Sequence, residues 1–396
     1  MSAAAQIFAV TAVSLRGIPH RPGNSLVIVI GIASVVAVLI SVLAMSAGFQ
    51  RTMLGDARAD RAIVLVPGAD SESTSTLSRE NVATIAAAPG ISKGPDGKPI
   101  VSADVLLVAP VSRKTSGVDA YITLRGVGEQ YFRLRPELTL VAGRMFEPGL
   151  HELVVGAAAQ AQFSGLEMGS RVRLHDGDWT IVGVFAGGDN VRESEVISDA
   201  QTVMSAYKLD TFNSVSALLA GEGSLARLED ALSLQPGLSV RVLSEPQYLA
   251  MVSRSINRLL QIVAFAIGGI MAIGALFGAL NTMYSAVASR TSEIATLRAL
   301  GFGSNTVLVS ILIEALLLAT LGACVGIAVA YLAFDGRAIS TLGGSRWDSQ
   351  VVYSLTITPM LVAIATALAC GIGILGGLFP AVRAARASVA ESLRMG

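Results

Sequence analysis

The fold class read from the sequence is an α-helical membrane protein, four transmembrane helices in a one-plus-three layout, with a large α/β domain between the first and second. Three observations predict it. Only 15% of the 396 residues are charged while 52% are hydrophobic, against about 25% charged in an ordinary soluble domain. Four stretches stay apolar long enough to cross a bilayer core, which takes about 20 residues of helix. One of them lies near the start and three near the end, and a polar block of soluble composition, 50–257, separates the first from the rest.

Segment 1–24 comes first. Ile7, Phe8, Ala12 and Leu15 fall on one helical face before Pro19 and Pro22 stop it, which predicts an amphipathic helix along the membrane surface. The first span, 25–47, sits between Arg21 and Arg51. Its apolar run exceeds the roughly 7–15 residues of a signal peptide, so it reads as an uncleaved anchor.

The outer block alternates strand and helix signals. Strands are expected at Ala62–Val66 and Val101–Val108, with a helix between them capped by Ser78, burying Val82, Ile85 and Ala86 and ending at Pro89-Gly90. The same pattern recurs later: a strand at Val215–Ala220, a helix capped by Ser224 that carries Leu225, Leu228 and Leu232, and a strand at Leu238–Leu243. Two βαβ halves follow from this, with 112–214 inserted between them as a strand-rich lobe. That lobe is expected to hold strands at Val118–Arg125, Glu152–Val155, Arg171–Leu174 and Trp179–Phe185, with turns at Asp176-Gly177 and Gly187-Gly188.

The remaining spans are 259–287, 305–334 and 353–382, joined by connections 288–304 and 335–352 and followed by the tail 383–396. Arginine sets the orientation. Arg16 and Arg21, Arg290 and Arg298, and Arg383, Arg386 and Arg394 lie on one side, whereas Arg337 and Arg346 of the 335–352 connection are countered by Asp335 and Asp348. Both termini are therefore expected in the cytoplasm and the 50–257 domain outside.

Small residues recur at four-residue spacing within the spans: Gly274 with Gly278, Gly322 with Gly326, and Gly373 with Gly377. Such rows let helix backbones approach closely where lipid supplies no hydrophobic drive. Glu314 is an intramembrane carboxylate, costly to bury and so a functional candidate. It lies about 15 Å along its helix from the cytoplasmic end, within reach of the interface or of an arginine such as Arg298.

Several function classes drop out. The 29 Lys and Arg balance 29 Asp and Glu, so no basic surplus points to nucleic acid. Cys324 and Cys370 lie inside apolar runs, as packing residues do, and His20, His151 and His175 are scattered singly. No metal cluster or nucleophile–base pairing is spelled out, and Gly187-Gly188-Asp189 is not followed by the Lys-Ser/Thr of a phosphate loop. The chain reads as a non-catalytic membrane component.

More specific residues follow. Asn281-Thr282-Met283, then Ser289-Arg290-Thr291-Ser292-Glu293-Ile294-Ala295-Thr296-Leu297-Arg298-Ala299-Leu300-Gly301, then Glu314, Gly322 and Gly326, and finally Phe379-Pro380-Ala381-Val382-Arg383-Ala384-Ala385-Arg386 with Glu391-Ser392-Leu393-Arg394 stand in that order. In the outer block stand Arg125-Gly126-Val127, Tyr131-Phe132, Gly143-Arg144-Met145-Phe146, Glu152–Gly156 and Val182–Phe185. Together these resemble the MacB-type, or FtsX-like, ABC transporter permeases over essentially the whole chain, in the subtype whose permease is separate from its ATPase.

The resemblance implies a bacterial inner-membrane permease with a periplasmic core domain. It works as a dimer, a homodimer being the simpler arrangement, with two copies of a cytoplasmic ATPase docked on it. No G-x-x-x-x-G-K-[ST] occurs in the sequence, so no cofactor is expected on this chain, and ATP and Mg belong to the partner ATPase. The 288–304 connection, with Arg290, Glu293, Ile294, Leu297, Arg298, Leu300 and Gly301, is expected to be the coupling helix, with Ile294, Leu297 and Leu300 on one side.

Export of an unidentified substrate, with a periplasmic adaptor docked on the 112–214 lobe and an outer-membrane duct, is the leading expectation. Two other readings stay open: a lipoprotein-releasing permease, faintly echoed by Ala47-Gly48-Phe49-Gln50-Arg51, and a transmitter that activates a periplasmic hydrolase.

Overall fold

The computed structural model describes residues 22–55, 57–114, 117–175, 177–188, 190–341 and 350–386. The amphipathic segment with Ile7, Phe8, Ala12 and Leu15, together with Arg16, His20 and Arg21, lies outside the described residues. So do Asp176, Asp189, Arg346, Asp348 and the tail with Glu391–Arg394. The chain divides into two compact units. One holds the residues up to Ala47, Arg258–Arg337 and those from Leu355 on; the other holds Gly48–Asn257 and Ala338–Ser354.

The elements run as follows. Helix α1, Pro22–Leu54, opens the chain and leads to β1, Arg61–Leu65. A 3₁₀ turn, Glu72–Thr74, and α2, Arg79–Ala87, precede β2, Val101–Arg113, and β3, Asp119–Val127. Then come α3, Tyr131–Leu134, β4, Thr139–Gly143, β5, Glu152–Gly156, α4, Ala157–Gln162, and β6, Phe163–Ser164. Strands β7, Arg171–Leu174, and β8, Gly177–Ala186, a 3₁₀ turn at Val191–Ser194, β9, Glu195–Asp199, and α5, Ala200–Tyr207, continue the domain. It closes with β10, Ser214–Leu218, α6, Ser224–Ser233, and β11, Arg241–Ser244. Helices α7, Glu245–Ala288, α8, Thr291–Ala299, and α9, Ser304–Phe334, the hairpin β12, Ala338–Ser340, and β13, Val352–Ser354, and α10, Pro359–Arg386, complete the chain.

Among the described residues, four helices are long and apolar enough to cross a membrane: Ser25–Leu54, Ile256–Ala288, Ser304–Phe334 and Pro359–Arg386. The fourth starts later than Tyr353 because Val352–Ser354 is β13, and Pro359, whose missing N–H is needless in a first turn, opens the helix instead. Ile32, Val36 and Ile40 of α1 pack with Ile311, Ala315 and Ala319 of α9 and with Ala365, Ala369 and Ile372 of α10. Half-buried hydroxyls in the bundle bond back to their own helix: Thr282 donates to the Gly278 carbonyl at 2.7 Å and Thr366 to that of Val362 at 2.8 Å.

The glycine rows behave differently from one another. A Cβ on Gly326 would lie 2.5 Å from the Ala33 carbonyl oxygen, and one on Gly322 would lie 3.0 Å from that of Val29, so this row seats α9 on α1. Gly373 and Gly377 of α10 face Ala319 and Ala315 of α9 at 2.6 and 2.7 Å in the same sense. A Cβ on Gly274 or Gly278 of α7 would meet nothing within 4 Å among the described residues, contrary to the close packing expected of them. The close approach of α7 is made elsewhere, where Gly376 of α10 meets Ala279 at 2.8 Å.

The second unit is built on one eleven-stranded sheet, in the order β11-β1-β10-β2-β3-β9-β5-β8-β4, with β6 paired to β2 and β7 to β8. The two βαβ halves interleave rather than sit side by side, because β1 pairs antiparallel with both β10 and β11, and β10 with β2. This is a split-βαβ arrangement. The segment expected as a separate inserted lobe is not set apart. Strand β2 pairs with β10 through Val101–Asp104 and with β3 through Val105–Ser112, so the ladder runs on unbroken. One hydrophobic core spans both parts, from Val64, Ile85 and Val215 to Leu153, Trp179 and Ile181.

Local chemistry explains the helix ends. Ser78 caps α2 as expected, its hydroxyl accepting from the Asn81 N–H at 3.1 Å. Ser224, expected as a cap, is instead the first helical residue of α6, and Gly223 holds the cap position in the left-handed region at φ +71°. The 335–352 connection does more than join two spans, because the paired strands β12 and β13 belong to the domain. Val352 lies in its core, the Gln350 N–H donates to the Tyr121 carbonyl at 2.8 Å, and the Arg113 guanidinium donates to Gln350 Oε1 at 2.7 Å.

Candidate functional site

The first candidate is the short helix α8. It is amphipathic in a narrower sense than the sequence indicates. Ala295 is buried, Ile294 packs on the bundle core, and Leu297 and Arg298 are half-buried. Glu293 is exposed in the first turn, where a negative charge suits the helix dipole. Leu300, expected to share a face with Ile294 and Leu297, is instead 72% exposed, because the chain leaves the helix at that residue.

The exit is a defined motif. The Phe302 N–H bonds to the Leu297 carbonyl at 3.2 Å and the Gly301 N–H to that of Arg298 at 3.1 Å. These are the two bonds of a Schellman cap, with Gly301 in the left-handed position at φ +93°. Glycine ends the Arg-Ala-Leu-Gly run because a Cβ would strain that conformation. At the other end, Arg290 Nη1 donates to Glu314 Oε2 at 3.1 Å, with both side chains largely buried. The structure thus places Arg290, an arginine of the same 288–304 connection as Arg298, on Glu314. A carboxylate in α9 thereby anchors the residue that begins α8, which gives the costly intramembrane charge a positioning role.

Near the end of α10, Leu378, Phe379, Val382, Arg383 and Arg386 line an open groove. The Arg383 guanidinium lies 5.8 Å from the centre of the Tyr284 ring, within cation–π range. Phe379 is exposed there. Aromatic and basic side chains thus lie open at that end of the helix.

The second candidate was missed by sequence reasoning. Arg125 of β3 is fully buried and uses all five of its N–H donors. Nε donates to Glu195 at 2.7 Å, Nη1 to Glu72 and Asp104 at 3.1 Å each, and Nη2 to Glu72 at 2.9 Å and Glu195 at 3.1 Å. Arg192 donates to Glu195 at 3.0 Å, Ser214 donates to Glu72 at 2.7 Å, and the Tyr248 hydroxyl accepts from the Glu72 N–H at 3.0 Å.

A second buried group joins Arg61 to Glu137 at 2.6 Å and to Glu245 at 3.2 Å, and Arg135 to Glu245 at 2.5 Å. Burial by itself would raise Glu72, but Arg125 and Arg192 overcome it and hold the carboxyl well below the usual range. Glu195 and Glu245 are likewise lowered by their arginines against burial. Asp104 goes the other way: burial, aided by the neighbouring Glu72, pushes it up to about 6 despite Arg125. The only signal in the sequence was the run Arg125-Gly126-Val127, with a charge inside an otherwise apolar strand.

Comparison with known proteins gives two family matches, the MacB-like periplasmic core domain over residues 24–234 and the FtsX-like permease C-terminal region over residues 265–389. The chain is 26% identical over 410 residues to the macrolide export ATP-binding/permease protein MacB of Hahella chejuensis, covering 93% of this chain and 57% of that one. It is 28% identical over 401 residues to MacB 1/2 of Paracoccus denitrificans, covering 93% and 55%. The ABC transporter permease YtrF of Bacillus subtilis is 31% identical over 135 residues, 32% of this chain and 31% of that one. The chain therefore spans little more than half the length of the first two. Among solved structures, the periplasmic region of MacB from Actinobacillus actinomycetemcomitans matches with a TM-score of 0.37 at 16% identity, covering 53% of this chain and 97% of that one.

Proposed function

From a chain that belongs to the MacB/FtsX-like family of ABC transporter permeases and spans the membrane several times, we propose a permease that couples ATP hydrolysis in a cytoplasmic partner to movement of its outer domain. The family implies an ATPase partner. ATP and magnesium are bound on that ATPase, and this chain contributes no catalytic group. The observation that carries the reading is the construction of α8: anchored at Arg290 by Glu314, ended by the Gly301 cap, and presenting Glu293 and Leu300 outward. A short helix held at both ends transmits a push from its exposed face better than a frayed loop does.

The finer assignments are part of the same proposal. Two copies of the chain form a homodimer that seats two ATPase subunits. The termini lie in the cytoplasm of a bacterium, the domain lies in the periplasm, and the arginine-rich short connections support that orientation. Export is favoured because relatives are named for macrolide export. A periplasmic adaptor and an outer-membrane duct complete the path for the substrate.

The test is isolation of the tagged full chain from its native membrane in mild detergent, with mass spectrometry of its companions. A P-loop ATPase in roughly equal amount is expected. Glu293→Arg with Leu300→Asp should release it while leaving the chain in the membrane, since losing an exposed anchor and reversing a charge at an interface costs about 2 kcal/mol or more. An ATPase that stays bound to this double variant refutes docking on α8, and the absence of any ATPase refutes the permease reading.

A further inference from the structure

A cavity of about 350 Å³ opens within the domain unit, beside the Arg125 cluster. That volume falls in the range of small-molecule pockets, about 300–1,000 Å³. Its walls are mainly apolar. Leu107 and Val108 of β2 form one side, and Phe49 near the end of α1 with Val252 and Ile256 of α7 form another. One end is polar and is formed by Glu72, Arg125, Arg192 and Glu195, all of them buried. The pocket thus pairs an apolar body with a charged end, the arrangement that accepts an amphiphile.

The charged end selects the head group. Arg125 has no donor to spare, since all five are engaged. Arg192 is different: it is 3% exposed and hydrogen-bonds only through Nη1, to Glu195, so Nε and Nη2 have no hydrogen-bond partner among the described residues. Arg192 lines the cavity, so these donors are open to an acceptor oxygen that enters it. The formal charge of the cluster runs the other way. Glu72, Asp104 and Glu195 against Arg125 and Arg192 leave one negative charge in excess. A carboxylate or phosphate head would add to that excess in a low-dielectric site, and an ammonium head would have to approach the open donors of Arg192.

We propose that this cavity binds an uncharged amphiphile whose hydroxyl, ester or carbonyl oxygens accept from Arg192, with its alkyl part along Leu107, Val108 and Val252. The assignment does not rest on the transport reading, because binding is read on the full chain without ATP or a partner.

The experiment uses the full chain in lipid nanodiscs and a photoreactive 1-monolauroylglycerol with a diazirine in its chain, and maps the adducts by mass spectrometry. Adducts are expected on the peptides that carry Phe49, Leu107 or Val252. Unlabelled monolaurin should compete, whereas dodecylamine and laurate at equal membrane loading should not. Val108→Trp, which fills the cavity without touching the ion cluster, should lower labelling there at least ~10-fold, the equivalent of about 1.4 kcal/mol. Arg192→Lys should lower it with the thermal unfolding temperature held as a control. Adducts confined to the membrane spans, or undiminished in Val108→Trp, overturn the site. Equal competition by dodecylamine or laurate overturns the assignment of an uncharged head.

Discussion

Replacing Arg125 with alanine tests whether the buried ion cluster holds the domain together. The guanidinium bonds three carboxylates that come from three places: Glu72 in a 3₁₀ turn, Asp104 in β2 and Glu195 in β9. Removing it leaves those acids buried, with Arg192 as the cation ion-paired to Glu72 and Glu195. Breaking a buried ion pair from one side costs about 3–5 kcal/mol, because an uncompensated charge remains in the interior. For a domain of roughly 200 residues each kcal/mol lowers the unfolding temperature by about 2–4 °C, so a drop of about 6–20 °C is expected.

The signal is the fluorescence of Trp179, which is fully buried in the domain core, measured on the full chain in detergent in a Trp347→Phe background. Arg133→Ala is the control, since Arg133 is 52% exposed and pairs with Asp96 on the surface. Exposed pairs of this kind contribute about 0–1 kcal/mol. A drop for Arg125→Ala no larger than that for Arg133→Ala refutes the view that the cluster joins these elements. Neutralising an acid as well, in Arg125→Met with Glu72→Gln, should recover part of the loss.

Three further outcomes are expected. Asp104 is raised in the folded state to about 6 from its ordinary 3.8, so its contribution to stability is complete below about pH 4 and is lost as pH rises through 6, by on the order of 2–3 kcal/mol. Glu72, Glu195 and Glu245 are lowered, so theirs is present above about pH 4.5 and lost as pH falls. Urea unfolding against pH should therefore show a decline between pH 4.5 and 6.5 that disappears in Asp104→Asn, and a decline that persists in this variant refutes the assignment. Gly301→Ala should cost about 1–2 kcal/mol through backbone strain alone, since nothing lies within 4 Å of the added carbon, and Gly301→Asn should cost less; equal losses in thermal unfolding would count against the cap. Gly326→Leu should cost about 1–3 kcal/mol by overpacking against Ala33 and Val36, whereas Gly274→Leu should be nearly neutral in the same assay; equal losses would place a packing partner on the open face of α7.

Helix ends could be read along the chain because their chemistry is local. The turn after Leu300 needs glycine, and a glycine stands there; the Ser78 hydroxyl lies three residues from the N–H it caps. Faces were harder to read. Leu300 looked equivalent to Ile294 and Leu297 on a helical wheel, and only the position of the helix end exposes it. The glycine rows of the spans were identical as patterns, yet two of them meet a neighbour and the Gly274 row does not. Spacing shows where a close approach is allowed, and the neighbouring helix decides whether it happens.

The Arg125 cluster lay beyond reading for a related reason. Its members come from the 3₁₀ turns, β2, β3, β9, β10 and α7, and none of them shows in its own stretch which others it will meet. The pairing of β3 with β2 on one edge and with β9 on the other brings them together. The strand pair β12 and β13 is a similar case: too short to look like part of a domain, it is completed by hydrogen bonds of Gln350 and Val352 with β2, β3 and the 3₁₀ turn before β9.

By itself the sequence determined what a solvent or a single turn dictates. Bilayer hydrocarbon admits only long uncharged helices, so the four spans and the polar block between the first two stand out, and short-range caps mark where helices begin and end. Only the tertiary structure decided which arginine holds Glu314, which glycines face a neighbour, that the two parts of the α/β domain share a sheet and a core, and that buried charges flank a cavity. These depend on contacts between residues far apart in the chain, and the free energy of such contacts is set by strand order and helix packing rather than by the residues next to them in sequence.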